Sequence, residues 1–184
     1  EFAVVSESAA ALKPANLDFI QAASIPMVGL TSWQALKERA GIQPGQKVFI
    51  PAGSGGIGTF AIQLAKYFGA KVATTTSSKN LALVKSLGAD QVIDYTKQEF
   101  DKVLLGYDIA LGTIKGDAIE KSIGILKPGS KIVSLVGPLD KAFAHARKLN
   151  FVLKFVFGLM SRKIIAQAKK RQVSYSFLFV RPDG

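Results

Sequence analysis

The feature that most constrains the fold is the run Gly53-Ser54-Gly55-Gly56-Ile57-Gly58, here called the glycine turn. Residues 47–51 (KVFIP), just before it, form a short apolar run typical of a buried strand. Residues 56–68 carry apolar side chains at three- and four-residue spacings, which predicts a helix that Gly69 ends. Strand, G-x-G-x-x-G turn and helix in this order predict a dinucleotide-binding βαβ unit.

The glycines of such a turn have separate roles. Gly53 permits the tight turn, Gly55 lets backbone amides approach a pyrophosphate, and Gly58 allows the helix to pack closely on the sheet. The free N–H groups and positive end of the helix from Gly56 would then meet the phosphate charge. The alternative interpretation is a flexible glycine loop that binds no ligand.

Apolar runs that alternate with helical patterns continue along the chain. Strand patterns follow at 71–75, 91–94, 107–111, 131–136 and 173–180, and Ser78 is placed to cap a helix that Gly88 ends. This alternation predicts an α/β fold with a doubly wound parallel sheet (a Rossmann fold) of about six strands. Nearer the start, residues 2–6 and 10–13 are predicted as short strands and residues 17–23 and 27–40 as helices.

The end of the second strand indicates which nicotinamide cofactor is preferred. An NAD site usually places Asp or Glu about 20 residues after the turn, on the ribose 2′-hydroxyl. Residues 74–80 read TTTSSKN and contain no acid. We therefore expect NADP, with Thr76, Ser77 and Lys79 around the 2′-phosphate. The alternatives are a solvated lysine at 79 and a simple cap at Ser78.

The charge of the chain is concentrated in one segment. The formal net charge is +11, yet residues 141–172, here called the basic segment, contain 9 Lys/Arg and no Asp or Glu. Its apolar spacing predicts an amphipathic helical pair within an insertion at 139–172. We expect it to cover the substrate cleft or to contact another subunit. A membrane surface or nucleic acid is the alternative, and we expect neither as a partner.

Two further features narrow the chemistry. The chain has no cysteine and one histidine, so it cannot build a thiolate zinc site, and His145 is expected to be a surface helix residue. The missing cysteines favour a reducing compartment, for which we expect the cytoplasm and keep an organelle matrix as the alternative. The apolar stretch around residues 151–160 is interrupted by Lys154 and too short to span a membrane.

Several short runs together resemble the medium-chain dehydrogenase/reductase superfamily. They are Ala52–Gly58 (AGSGGIG), Gly29–Leu36 (GLTSWQAL), Leu87–Asp90 (LGAD), Val92–Tyr95 (VIDY) and Leu126–Gly129 (LKPG). Within the superfamily, the chain resembles the zinc-independent quinone oxidoreductases and their NADP-dependent relatives. The resemblance covers about residues 1–140, and the basic segment with its YSFLF and RPDG runs is similar to one bacterial and mitochondrial subgroup.

The resemblance implies roles for individual residues. Ser54, Gly55, Gly56 and Ile57 would face the pyrophosphate. Tyr95 would lie beside the 2′-phosphate, while Thr31 and Val136-Gly137 would approach the nicotinamide. Each has a plain alternative: a tyrosine that packs at the rim, a threonine that satisfies a backbone carbonyl, and a Gly-Pro turn. Relatives often carry Asp at the position of Gly112 and Gly at that of Lys115.

The resemblance also implies a reaction. The parent protein would transfer hydride from NADPH to a small-molecule quinone or α,β-unsaturated carbonyl, without zinc, and would be a homodimer. Residues 1–25 would lead from a missing catalytic domain, and residues 26–184 would form the NADP-binding domain. We therefore name no catalytic residue. The alternatives are a non-catalytic NADPH sensor and a basic module that binds membrane or nucleic acid.

Overall fold

The computed structural model describes residues 3–184. Within them, one sheet of six parallel strands runs in the order β3-β2-β1-β4-β5-β6. This is the strand order of a doubly wound nucleotide-binding sheet, so the predicted fold class is confirmed. The strands are β1 (Lys47–Ile50), β2 (Lys71–Thr76), β3 (Gln91–Asp94), β4 (Tyr107–Gly112), β5 (Leu126–Ser134) and β6 (Ser174–Phe177).

Eight α-helices accompany the sheet in the described part of the chain. They are α1 (Phe19–Ala23), α2 (Ile25–Trp33), α3 (Gly56–Tyr67), α4 (Leu81–Ser86), α5 (Phe100–Val103), α6 (Ala118–Ile125), α7 (Lys141–Ala146) and α8 (Phe151–Lys170). Helix α2 continues as a π-helical segment, Gln34–Ala40. The predicted helix over 56–68 is confirmed as α3, and Gly69 follows it with a φ of 75°.

The sheet is buried on both faces. On one face, Leu36, Ile62 and Val84 from the α2, α3 and α4 side pack against inward residues of the strands. On the other, Ile123 of α6 and Ile164 of α8 pack in a separate cluster. A strand that is covered twice needs apolar residues in succession rather than alternation, which is why these strands are continuous apolar runs in the sequence.

The predicted strands near the start of the chain are wrong where the structure describes them. Residues 3–6 and 10–13 form no strand, and a short 3₁₀ turn, Glu7–Ala9, lies between them. Phe2 lies outside the described residues. Residues 3–16 are exposed, and no strand of the sheet lies beside them to share backbone hydrogen bonds. Apolar spacing alone therefore misled the prediction there.

Two strands differ in length from their predictions. Strand β5 begins at Leu126 instead of residue 131 and ends at Ser134 instead of residue 136. Leu126 pairs with Tyr107 and Lys131 with Ile109, so Pro128 and Gly129, which precede the predicted strand, lie at a bulge inside the observed one. Strand β6 covers only 174–177 of the predicted 173–180.

The basic segment is helical, as predicted. The second half of α8 buries Ser161, Ile164 and Ala168, so α8 is the crossover helix that returns the chain from β5 to β6. Its first half leaves apolar side chains exposed: Phe151, Val152, Phe155, Leu159 and Met160. His145 is an exposed residue of α7. None of the helices among residues 3–184 is long and apolar enough to cross a membrane.

Candidate functional site

The site is positioned by the topology of the sheet. Strands β1 and β4 are parallel neighbours at the centre, and the strand order reverses direction between them. In open parallel sheets, ligands bind at the carboxyl ends of the strands at such a switch point. The glycine turn follows β1 at this edge and leads directly into α3.

Two glycines of the turn are required by close packing. A Cβ on Gly53 would lie 2.1 Å from Oγ1 of Thr74 on β2. A Cβ on Gly58 would lie 2.3 Å from the carbonyl oxygen of Ala52 and 2.7 Å from Cα of Gly53. No side chain can be accommodated at these distances, so both residues bring α3 against β1 and β2.

The other two glycines are less crowded. A Cβ on Gly55 would meet Ala52 O at 3.3 Å, and one on Gly56 would meet Cγ1 of Val28 at 3.2 Å. Both residues are exposed. Internal packing therefore accounts for Gly53 and Gly58 better than for Gly55 and Gly56, whose lack of side chains leaves the backbone accessible to a ligand.

The first turn of α3 offers free hydrogen-bond donors. Gly55 is the N-cap and supplies no side chain. Within residues 3–184, the amides of Gly56, Ile57 and Gly58 have no hydrogen-bond acceptor. Unpaired amides at the positive end of a 12-residue helix form an anion site. The geometry therefore fits a phosphate group.

Side chains at the end of β2 make hydrogen bonds that fix the glycine turn and the end of β1. Thr74 donates from Oγ1 to the carbonyl of Ile50 at 2.6 Å, and Ala52 N donates to Oγ1 of Thr75 at 3.0 Å. The hydroxyls of Thr76 and Ser54 are 2.9 Å apart. Ala52 itself has a φ of 54°, a left-handed conformation that is unfavourable for any residue with a Cβ. The glycine turn is thus fixed by threonine hydroxyls on the neighbouring strand.

The residues expected around the 2′-phosphate gather at one place on the same edge. Ser77 is half-buried and Lys79 is exposed on the turn after β2, while Tyr95 follows β3 with 63% of its surface exposed. The amide of Tyr95 donates to the carbonyl of Thr76 at 3.1 Å, so the ends of the two strands remain paired. Thr76 is buried, with its hydroxyl toward Ser54. Lys97, which was not among the expected residues, is exposed two residues after Tyr95. We call Ser77, Lys79, Tyr95 and Lys97 the phosphate rim.

The predicted cap at Ser78 is wrong. Ser78 starts a 3₁₀ turn, Ser78–Asn80, and α4 begins only at Leu81. Its hydroxyl donates instead to a carboxylate oxygen of Asp94, the last residue of β3. Hydrogen bonds from Ser78 and Thr96 hold the pKa of Asp94 below its usual value. The side chain that the sequence suggested as a cap therefore joins two loops.

The residues expected near the nicotinamide are more spread out. Thr31 is buried in α2 and donates from Oγ1 to the carbonyl of Met27 at 2.6 Å, which is the plain alternative given above. Ser32 beside it donates to the carbonyl of Val28 at 2.8 Å. At the far end of β5, Val136 and Gly137 line a cleft of about 260 Å³ between α6 and α8.

The loop after β4 borders the same cleft. Gly112 ends β4 opposite Ser134, and a Cβ at this position would lie 3.1 Å from Cα of Ser134. An Asp here, as many relatives carry, would require β5 to shift by a few tenths of an ångström. Lys115 lines the cleft, as does Lys163 of α8. The two departures from the superfamily pattern thus lie three residues apart on one loop.

Comparison with known proteins agrees with this geometry. Residues 56–172 match the family described as zinc-binding dehydrogenase. The chain belongs to this family. Together with the strand order, this places it in the medium-chain dehydrogenase/reductase superfamily, as the sequence resemblance implied. The described residues contain no group of three or more His, Cys, Asp or Glu side chains that could hold a metal ion.

Relatives of this family member include named reductases. A mitochondrial NAD(P)H oxidoreductase of Danio rerio is 41% identical to it; the match covers 100% of this chain and 49% of the relative. The 2-methylene-furan-3-one reductase of Solanum lycopersicum is 42% identical; that match covers 74% of this chain and 35% of the relative. The chain thus spans half or less of the relatives that it matches.

Solved structures of the superfamily share the fold. The quinone oxidoreductase of Coxiella burnetii superposes with a TM-score of 0.74 and 34% identity, covering 93% of this chain and 47% of that one. The quinone oxidoreductase of Thermus thermophilus, known also in complex with NADPH, superposes with a TM-score of 0.67 and 26% identity over 92% of this chain and 49% of that one.

Sequence reasoning missed Asp94 and Thr96. Both are in the run IDYT, and Asp94 was noted only as part of a resemblance. The signal was available, because an Asp at the end of a strand with Thr two residues later is typical of a turn in which the carboxylate accepts from the following backbone. Thr96 donates to Asp94 from its amide at 3.0 Å and from its hydroxyl at 2.7 Å.

Proposed function

We propose that this family member is the NADP-binding domain of a zinc-independent oxidoreductase that reduces a quinone or an α,β-unsaturated carbonyl. The observation that carries the proposal is the set of unpaired amides at Gly56, Ile57 and Gly58, placed at the switch point of the sheet. Amides at such a place fit the diphosphate of a dinucleotide better than they fit any neutral ligand.

Each part of the cofactor has residues that suit it. The diphosphate would bind along Ser54, Gly55, Gly56 and Ile57, where the two glycines carry no side chain to block the backbone. Gly53 and Gly58 would hold this segment against the sheet. The adenosine phosphate would meet the phosphate rim, with Thr76 behind it. The nicotinamide would lie toward Thr31 and the Val136-Gly137 end of β5.

The preference for NADP over NAD follows from charge. The carboxyl end of β2 has no acid, and Lys79 and Lys97 are exposed beside it. A ribose 2′-phosphate carries about two negative charges, so it gains from an ammonium group and would be repelled by a carboxylate. The Thermus relative is known in complex with NADPH, which supports the same preference.

Bound NADPH would supply hydride to an electron-poor acceptor. The part of the chain described here would bind the two phosphate groups, orient the cofactor along the sheet edge and exclude water beneath it. Residues 26–184 would act as this domain, and residues 1–25 would lead into it from a catalytic domain. The relatives are named as NAD(P)H oxidoreductases, quinone oxidoreductases and an alkenal/one oxidoreductase, which favours catalysis over a sensor or a basic binding module.

The test of the cofactor assignment is Lys79→Ala, with Lys85→Ala, another exposed lysine of the same region, as the matched control. Calorimetric titration should show NADPH weakened by about tenfold and NADH nearly unchanged, because only NADPH carries the 2′-phosphate. Lys85→Ala should change neither. Equal weakening of both nucleotides by Lys79→Ala would remove that residue from the phosphate site.

The reaction itself needs the full-length protein. We expect NADPH oxidation that depends on a quinone or an enone and survives a metal chelator. NADPH binding without turnover of either acceptor class would favour the sensor. We further propose a homodimer in the cytoplasm, without nucleic-acid or membrane partners. The mitochondrial and chloroplastic relatives make an organelle the alternative to test by fractionation.

A further inference from the structure

Asp94 is a buried carboxylate at the carboxyl end of β3, with 7% of its surface exposed. It accepts hydrogen bonds from the amide and hydroxyl of Thr96, two residues further on, and from the hydroxyl of Ser78 on the turn after β2. The Lys97 ammonium lies 3.8 Å from it. All of these donors come from loops at the edge where the phosphate rim lies.

The Ser78–Asp94 bond is the side-chain connection between these two loops. Beyond the backbone pairing of Tyr95 with Thr76, no other hydrogen bond in the described residues joins 77–80 to 94–98. The first loop carries Lys79 and the second carries Tyr95 and Lys97, all exposed. The spacing between these side chains therefore depends on this bond together with the backbone pairing of Tyr95 with Thr76.

The carboxylate of Asp94 lies near the proposed 2′-phosphate site, where its negative charge would be expected to repel the ligand. An NAD-type acid stands at the end of β2 and bonds the ribose directly, whereas Asp94 ends β3 and is turned into the protein. Its oxygens are taken by Ser78 and Thr96, and the nearby Lys97 offsets its charge. Asp94 thus has the contacts of a residue that positions others and does not touch ligand.

We infer that the Ser78–Asp94 pair is a positioning device for cofactor preference: it holds the Lys79 turn against the Tyr95 loop so that both reach the same 2′-phosphate. The inference rests on the proposed function. NADH lacks the phosphate and uses the rest of the site, so loss of the pair changes the ratio of the two affinities and leaves NADH binding in place.

The test uses Ser78→Ala, with Ser78→Thr as the matched variant that keeps the hydroxyl. Because Ser78 is exposed, neither substitution disturbs the core. Calorimetry should show that Ser78→Ala raises the NADPH dissociation constant by about fivefold to tenfold, with NADH within about twofold. Ser78→Thr should behave like the parent chain.

The substitution Asp94→Asn distinguishes an effect of the hydrogen bonds of Asp94 from an effect of its negative charge. An amide cannot accept all three hydrogen bonds, so positioning predicts weaker NADPH binding, in the same direction as Ser78→Ala. Tighter NADPH binding by Asp94→Asn, or an unchanged NADPH/NADH ratio in Ser78→Ala, would overturn the inference while leaving the proposed function intact. A parent chain that binds neither nucleotide would overturn both.

Discussion

The hydroxyl of Thr76, the last residue of β2, lies 2.9 Å from the hydroxyl of Ser54 in the glycine turn after β1. This bond joins the place proposed for the diphosphate to the place proposed for the 2′-phosphate. Since Thr76 is 1% exposed, its hydroxyl faces the turn and not solvent. The two phosphate sites therefore share one fixed support.

This relationship predicts the behaviour of Thr76→Val. The substitution keeps the branched shape but removes the hydroxyl, so the glycine turn loses a support that both nucleotides need. NADPH and NADH should weaken by a similar factor, about threefold to tenfold, in parallel titrations. A loss confined to NADPH would mean instead that the Thr76 hydroxyl bonds the 2′-phosphate itself.

The glycine turn gives a matched pair of substitutions. Gly58→Ala places Cβ 2.3 Å from the carbonyl oxygen of Ala52, whereas Gly55→Ala places it at 3.3 Å from the same atom. Gly58→Ala should lower the free energy of unfolding by about 2 kcal/mol and weaken binding as well. Gly55→Ala should lower stability much less and still abolish most nucleotide binding, because Gly55 is exposed at the place proposed for the diphosphate. Equal stability losses would contradict this division of roles.

Ala52 provides a test of backbone strain. Its φ of 54° is left-handed, which costs an L-residue roughly 1–2 kcal/mol. Ala52→Gly removes that cost and adds unfolded-state entropy of about 0.5–1 kcal/mol, so stability should be unchanged or slightly higher. Ala52→Val should be destabilised by about 1–2 kcal/mol in chemical denaturation, because a β-branched residue fits this region poorly. A stable Ala52→Val variant would show that the turn relaxes.

Asp90 predicts a dependence of stability on pH. Partial burial alone would raise the pKa of Asp90, but the Val72 amide at 2.6 Å and the Lys66 ammonium at 2.9 Å outweigh it and lower the pKa below 3.8. A carboxyl with a lowered folded pKa contributes stability above its unfolded pKa and loses it as pH falls through the folded value. About half of the Asp90 side chain (46%) is exposed, so solvent screens the ion pair, and Asp90→Asn should be less stable by roughly 0.5 kcal/mol at pH 7.

The difference between the parent chain and Asp90→Asn should shrink below about pH 4. Glu7→Gln, at an exposed position of the 3₁₀ turn, serves as the control and should show a small difference at every pH. Urea denaturation at several pH values measures both. A gap for Asp90→Asn that persists to pH 2 would mean that packing, and not charge, is responsible.

The parts of the fold that the sequence predicts well are those set by local pattern. Strand β1, the glycine turn and α3 follow from apolar spacing and from glycines that no side chain can replace at Gly53 and Gly58. The start of strand β5 was predicted too late because Pro128-Gly129 interrupts the apolar run, and only pairing with Tyr107 shows that the strand begins at Leu126. The strands predicted at the start of the chain were wrong because no partner strand of the sheet lies beside those residues.

The candidate site also has a part that the sequence predicts and a part that it does not. The diphosphate region was predictable because backbone amides and glycines have a fixed spacing along the sequence. The role of Ser78 was not, because a serine before a helix is typical of a cap, and its real partner, Asp94, is 16 residues away on another strand. Contacts between the ends of neighbouring strands depend on the register of the sheet, which the sequence does not state.

The central claim is that the leading amides of α3 bind the diphosphate of a pyridine nucleotide. Titration of the ¹⁵N-labelled chain with NADPH tests it most directly. The account predicts saturable shifts that are largest at the amides of Gly56, Ile57 and Gly58, and similar shifts there with NADH. Saturation that leaves these three amides unmoved, or the absence of any response to both nucleotides, would contradict it.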